Sequence, residues 1–251
     1  MKKIVFLPIV IAMMFMGESL FAQKRDTTHH DHLFHFGLKA SPDLSWFNSS
    51  IKTITNDGSR LGFGYGLTTE FGFTKNYAFS TGLEIINAGG KLKFPDSTLY
   101  TLPGVAHSNL KDSSINNRTY KLRYIEIPLL LKLKSNRQGP MTYFGQFGLD
   151  LAVRWQALAN DNITASNVTS TNNDVDISKD VSLMRLALDI GLGVEYNLQG
   201  STSLEFSLNY SNGFTNGLKS NSVYLFTKNF ATALQQNAVF NYVGLTIGVL
   251  F

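Results

Sequence analysis

The chain has 251 residues, a formal net charge of +4 and no cysteine. Without cysteine it has neither a disulfide framework nor a zinc–thiolate or thiol-based catalytic site. So small a charge excess gives no argument for nucleic-acid binding. Abundant glycine and aromatic residues with only 16% charged residues favour a membrane barrel over a charged globular domain.

Residues 1–22 have the layout of a secretory signal peptide. Lys2 and Lys3 form a basic start, residues 4–16 are mainly apolar, and Ala22 precedes the predicted cleavage point. The apolar run is too short to span a bilayer as a helix. We expect a signal peptide at 1–22, a linker at 23–33 and an outer-membrane β-barrel domain at 34–251. A retained N-terminal anchor is the alternative.

After the signal peptide, apolar and polar residues alternate in eight segments, as they do in half-buried strands. The segments are 34–47, 60–74, 77–94, 120–134, 140–156, 181–197, 201–214 and 238–251. In the sixth, Leu186, Leu188 and Ile190 fall on one face and Ala187 and Asp189 on the other. Charges lie in mid-strand beside glycines, which suits the crowded interior of a small barrel better than the solvated face of a sandwich.

The connections alternate in length. Those at 48–59, 95–119, 157–180 and 215–237 are long, whereas those at 75–76, 135–139 and 198–200 are short. Long outer loops and short inner turns are typical of outer-membrane barrels. The prediction is an all-β, eight-stranded antiparallel up-and-down transmembrane β-barrel with short periplasmic turns and long extracellular loops. A soluble exported β-sandwich or a lipocalin-like binder is the alternative.

The predicted inward positions hold five bases and seven acids. An eight-stranded interior is filled by side chains, and enclosed charges must pair or be hydrated. We expect a plug of ion pairs in preference to a proton or ion path. The predicted interior charge network is Lys39, Glu70, Glu84, Glu126, Lys132, Lys134, Asp150, Arg154, Arg185, Asp189, Glu195 and Glu205.

Aromatic residues near the strand ends are predicted to face outward and to form interfacial girdles. These residues are Phe34, Phe36, Trp46, Phe47, Phe71, Phe73, Tyr77, Phe79, Tyr143 and Trp155.

Two histidine-containing segments are candidate chemical sites. His29, His30, His32 and His35 could bind a transition metal, but they lie in or beside a predicted linker, and we favour no metal site. His107, with Ser108 and Asp112 in the same long loop, is the basis of an alternative in which the barrel rim modifies lipids. We expect no cofactor.

The fourth segment carries a recognisable motif in Tyr124-Ile125-Glu126-Ile127-Pro128-Leu129-Leu130-Leu131-Lys132. It resembles the signature of the PorT-like outer-membrane β-barrel family of Bacteroidetes. The resemblance implies a barrel fold and an outer-membrane location, and it adds a link to protein secretion as an expectation. We expect Tyr124, Glu126, Pro128 and Lys132 to be structural, with Pro128 marking a bulge or break. Phe251 resembles a C-terminal signal for the barrel-insertion machinery.

The leading hypothesis is a non-enzymatic, plugged outer-membrane barrel. Its loops 95–119, 157–180 and 215–237 are expected to bind a surface molecule or protein, or to assist a secretion assembly. The expected partners are outer-membrane lipid, the insertion machinery during assembly, and secretion-system or surface proteins, but not nucleic acid.

Overall fold

The computed structural model describes residues 34–50, 52, 54–94, 98–100, 113–165, 168–198, 201–219, 223–227, 230–233 and 237–251. The signal-peptide prediction and the linker lie outside these residues. Within them, thirteen strands form: β1 (Phe34–Ser49), β2 (Thr55–Gly58), β3 (Arg60–Thr74), β4 (Tyr77–Lys93), β5 (Thr98–Tyr100), β6 (Ser113–Lys134), β7 (Met141–Ala165), β8 (Val168–Asp176), β9 (Met184–Asn197), β10 (Ser203–Gly213), β11 (Val223–Thr227), β12 (Phe230–Ala233) and β13 (Ala238–Leu250). No described segment forms a helix with the length and apolar character that a membrane crossing requires.

Eight of these strands close into a barrel. The order is β1, β3, β4, β6, β7, β9, β10 and β13, each antiparallel to its neighbours, and β13 returns to β1. At the seam the ladder continues past the last strand, because the Phe251 N–H donates to the Phe36 carbonyl at 2.7 Å. The predicted eight-stranded antiparallel barrel is confirmed.

The two faces of the wall differ as the alternation predicts. Large apolar side chains on the outward face are exposed, and they include Leu38, Leu61, Tyr65, Leu83, Phe147, Leu149, Ile190, Leu192, Leu208 and Leu245. Inward neighbours such as Glu84, Asp150 and Asp189 are buried. An apolar exterior around a polar interior is the arrangement that a barrel adopts in lipid.

Outward aromatic residues lie near both ends of the wall. At the end with the short turns, here called the turn end, the Phe34 and Phe71 rings lie 5.2 Å apart. At the opposite, loop end, Trp46 stacks on Tyr210 at 6.3 Å. Trp155 also faces outward there. Aromatic rings at these two levels fit the two membrane interfaces.

The outward prediction for Phe47 is wrong. Trp46 and Phe47 are adjacent in an extended strand, so only one of them can face lipid. Trp46 takes that position, and the Phe47 side chain is fully buried inside the barrel.

The long connections are more ordered than the predicted loops. Residues 113–119 and 157–165 extend β6 and β7, and β8 pairs with β7 alongside them. β2 pairs with β4 in the first long connection. A separate three-stranded sheet contains β5, β11 and β12. Much of the loop end is therefore sheet.

Pro128 interrupts pairing without shifting it. β6 and β4 share one register on both sides of Pro128, with Glu126 opposite Glu84 and Leu129 opposite Thr81, but Ile127 and Pro128 do not pair with β4. Proline lacks the N–H that the ladder needs. The expected break is present on the β4 side, whereas the alternative of a bulge at this position is wrong, because Pro128 stays in register with Asp150 of β7.

A charge placed on the outer wall tests its contact with lipid. Ile190 is half-exposed near the middle of β9. Ile190→Arg should lower the free energy of unfolding in lipid vesicles by about 2–4 kcal/mol, the cost of arginine at the bilayer centre. Urea titration, followed by the faster gel migration of the folded barrel, measures the change. Ile190→Val is the control, and equal stability of the two variants would contradict a lipid-facing wall.

Candidate functional site

The barrel interior near the turn end is organised around one ammonium group. Lys132 Nζ lies 2.6 Å from Glu195 Oε1, 2.7 Å from Glu205 Oε2 and 3.0 Å from Glu70 Oε2. Lys134 adds ion pairs to Glu70 and Glu195. These residues come from β3, β6, β9 and β10, so the cluster, here called the lysine cluster, crosses the interior. Charge-assisted contacts of this length fix the positions of the strands that carry them.

An aromatic ring completes the surroundings of Lys132. Lys132 Nζ lies 4.0 Å from the centre of the Phe144 ring, a cation–π contact. Gly193 leaves the space for that ring, since a Cβ at this position would overlap it. Gly193 therefore allows the Phe144 ring to pack against β9.

Three carboxylates of the lysine cluster have the spacing of a metal site. Oxygens of Glu70, Glu195 and Glu205 lie within 4.8 Å of one another. The Lys132 ammonium, however, is within 3.0 Å of each carboxylate and supplies the positive charge that a metal would otherwise supply. The arrangement is an ion-pair cluster and does not fit a metal centre.

The middle of the interior contains a second group of charges around a small cavity. Lys39 pairs with Glu84 at 2.6 Å, and Arg185 pairs with Glu126 at 3.0 Å. The Tyr242 hydroxyl donates to Glu126 at 2.8 Å. The cavity measures about 30 Å³, room for one or two water molecules. Its lining includes Lys39, Glu84, Glu126, Pro128, Asp150, Asp189 and Tyr242.

The loop end of the interior is filled by apolar and aromatic side chains. Phe47 lies 5.0 Å from Tyr120 and 5.6 Å from Phe240, and Tyr124 stacks on Phe240 at 6.0 Å, all between ring centres. Arg185 joins this aromatic cap to the charges below it, since its guanidinium lies 5.1 Å from the Phe240 ring centre. These rings are buried and fill the interior at this level.

Above the aromatic cap, an ion pair joins the extended strands to the next connection. Arg118 Nε and Nη2 donate to the two carboxylate oxygens of Asp161 at 2.6 and 2.8 Å, and Arg118 Nη1 lies 3.6 Å from Asp180. The Ser178 hydroxyl and N–H hydrogen-bond Asp176 and lower the pKa of that carboxyl. The connection between β8 and β9 is thus fixed at both of these points.

The structure places all twelve residues of the predicted charge network on the inner face of the wall. The lysine cluster unites Glu70, Lys132, Lys134, Glu195 and Glu205, and the middle group contains Lys39, Glu84, Glu126, Asp150, Arg185 and Asp189. Arg154 belongs to neither group, and its Nε and Nη1 atoms have no hydrogen-bond partner among the described residues. The four motif residues also face inward, and Phe251 is exposed.

Several buried polar residues were not among the predicted ones. Asp43 is buried on β1. It follows Lys39 and Ser41 at intervals of two residues, so strand alternation predicts that it faces inward with them. Arg118 and Asp161 fell in predicted loops, where alternation is not expected. His35 lies on β1, whereas His29, His30, His32, His107, Ser108 and Asp112 are outside the described residues.

The profile of the family described as outer membrane protein beta-barrel domain matches residues 21–219. The chain belongs to this family. Membership and the lipid-facing wall together establish an outer-membrane location, as predicted. No curated protein matches the sequence.

Several solved structures are similar to this outer-membrane barrel. Neisserial surface protein A aligns over 86% of this chain and 95% of that chain, with 15% identity and a TM-score of 0.41. The outer membrane protein OprG from Pseudomonas aeruginosa aligns over 87% of this chain and 95% of that chain, with 12% identity and a TM-score of 0.46. Ail, the attachment invasion locus protein of Yersinia pestis, aligns over 87% of this chain and 97% of that chain, with 11% identity and a TM-score of 0.34.

Removing the central ammonium should destabilise the barrel. Lys132→Met leaves three buried carboxylates without their shared cation, and we expect the free energy of unfolding to fall by about 3–5 kcal/mol. Urea titration in micelles, followed by gel migration, measures the loss. Adding Glu205→Gln to this variant should recover part of it, because one uncompensated charge is removed.

Lys121→Met provides the matched control. Lys121 pairs with Asp174 at 2.8 Å on the exposed surface. Such pairs contribute about 1 kcal/mol or less. If the Lys132 and Lys121 variants lost equal stability, the lysine cluster would not have the structural role assigned to it.

Proposed function

We propose that this protein is a non-enzymatic outer-membrane barrel that binds a protein partner at the cell surface. The binding element is the sheet extension, defined as residues 113–119 of β6, residues 157–165 of β7 and all of β8. The supporting observation is the outer edge of this extension: among the described residues β8 pairs with β7 only.

The contents of the barrel favour a function at its outer surface. An eight-stranded barrel has an interior that side chains can fill. Here the lysine cluster, the middle group and the aromatic cap occupy successive levels of the interior. The cavity of about 30 Å³ lies within the middle group. Open diffusion needs a much wider barrel. We therefore place partner binding at the loop end.

An edge strand offers a ready mode of protein binding. Its free N–H and C=O groups can pair with an added strand, and neighbouring side chains then supply specificity. Thr171, Asn172 and Asn173 are exposed on β8. The Thr171 hydroxyl donates to the Asn162 side chain at 3.0 Å, which joins β8 to β7. The edge is thus held in place before a partner arrives, which lowers the entropy cost of binding.

The motif from Tyr124 to Lys132 bears on the identity of the partner. Its resemblance to PorT-like barrels supports a component of a protein-secretion assembly as the partner class. Affinity purification of the tagged, folded protein from its own outer membrane tests this assignment. Recovery of secretion-system subunits would support it, and recovery of only unrelated surface proteins would remove it.

Charges at the β8 edge should prevent strand addition. We expect Thr171→Lys/Asn173→Lys to abolish co-purification of the partner, because lysines on an edge strand oppose pairing with another chain. The variant should still migrate as a folded barrel, since both positions lie outside the membrane wall. Quantitative mass spectrometry of the purified complex measures the loss.

Thr171→Ser/Asn173→Ser is the control for this experiment, because it changes the same side chains without adding charge. Partner recovery should stay near that of the unmodified protein. Undiminished recovery with the lysine variant would rule out the β8 edge as the binding element.

A further inference from the structure

We propose that the outer surface of β4 and β6 binds the phosphate groups of a lipid in the outer leaflet. Four basic side chains form this outer basic patch: Lys91, Lys93, Lys121 and Arg123. The proposed ligand differs from the protein partner of the sheet extension, and the two proposals stand on different residues.

The four side chains point away from the barrel interior. Leu92 lies between the two lysines of β4, and Leu122 lies between the two bases of β6; both leucines are almost fully buried. Because side chains alternate across a strand, the bases on either side face outward. Lys91, Lys93 and Arg123 are exposed and Lys121 is partly exposed.

The register of β4 and β6 brings the bases together. Lys91 lies opposite Thr119 and Lys121 lies opposite Gly89, so these two lysines are diagonal neighbours. Diagonal positions on adjacent strands are roughly 7–8 Å apart, and Lys93 follows two residues along the same face. Like charges so placed repel one another. A bound anion would remove this repulsion.

Two carboxylates, Asp57 and Asp174, lie beside the four bases. Asp57 accepts a hydrogen bond from the side chain of Asn117, the residue opposite Lys93, at 2.6 Å. Among the described residues neither Lys91 nor Lys93 has an ion-pair partner, and only Lys121 is paired, with Asp174. Arg123 Nε donates to the Asn87 side-chain oxygen at 2.6 Å, a contact that orients the guanidinium without neutralising it. The patch therefore retains excess positive charge.

Its position identifies a membrane lipid as the source of the phosphate. The Arg123 guanidinium lies 5.9 Å from the centre of the Trp155 ring. Trp155 is largely exposed at the loop-end girdle, and tryptophan at such a girdle lies at the level of lipid headgroups. Directly towards the membrane centre, Ile85 and Ile125 pair on the same outer face. A lipid whose chains contact these isoleucines would present its headgroup to Arg123 and the lysines beyond it.

Lipid binding by the purified protein tests the proposal. The probes are lipid A, dephosphorylated lipid A and inorganic phosphate, each added to the folded barrel in phosphatidylcholine nanodiscs or micelles. We expect Lys91→Gln/Lys93→Gln/Arg123→Gln to bind lipid A about a hundredfold more weakly than the unmodified protein, since each base near an anionic lipid contributes about fivefold. Native mass spectrometry at several lipid concentrations gives the affinities.

Arg137→Gln/Lys179→Gln/Lys219→Gln is the matched control. It also removes one arginine and two lysines from exposed positions, but from outside the patch. This variant should bind lipid A as the unmodified protein does, and gel migration confirms that all three proteins are folded. The proposal is overturned if the two triple variants bind equally, if dephosphorylated lipid A binds as tightly as lipid A, or if inorganic phosphate displaces lipid A completely.

Discussion

Backbone hydrogen bonding in lipid is the constraint on which this structure depends. Hydrocarbon offers no partner to an N–H or C=O group, so a sheet in a membrane must have no open edge. The ladder between β1 and β13, continued by Phe36 and Phe251, removes the edge that an open sheet would have. Closing the sheet with only eight strands also fixes how narrow the interior is. Every inward side chain must then fit a space determined by backbone pairing.

The narrow interior explains why its charges lie in distinct groups. A lone ammonium or carboxylate removed from water is costly unless an opposite charge, a hydrogen-bond partner or water lies beside it, and most of the interior charges lie in groups of this kind. Lys132 meets this need for three glutamates at once, and Phe144 covers it. Arg185 both pairs with Glu126 and stacks on Phe240, which joins the charged middle to the aromatic cap. The polar interior and the apolar cap are therefore one packed unit.

Alternation with a period of two made the barrel wall predictable, because it depends only on which face each residue occupies. The same rule predicts that Asp43 faces inward. It also predicts that Trp46 and Phe47 face opposite sides of the wall when the strand is regular. It could not reveal Arg118 with Asp161, because their pairing depends on β6 and β7 continuing beyond the membrane. The contacts of Lys132 were likewise not predictable in detail, since they depend on the stagger of strands that are distant in sequence.

The motif from Tyr124 to Lys132 contributes a row of side chains to the inner face of the barrel. Four of its residues lie on one inward row of β6. Tyr124 belongs to the aromatic cap, Glu126 and Pro128 line the cavity, and Lys132 is the centre of the lysine cluster. Each is explained by packing or charge pairing within the barrel. A resemblance carried by this row therefore identifies a way of filling an eight-stranded interior. It supports a class of partner only through the family that it resembles, because all four side chains are buried and none can contact a partner. The proposed binding of a protein partner and of a lipid therefore depends on residues outside this row, on β8 and on the outer surface of β4 and β6.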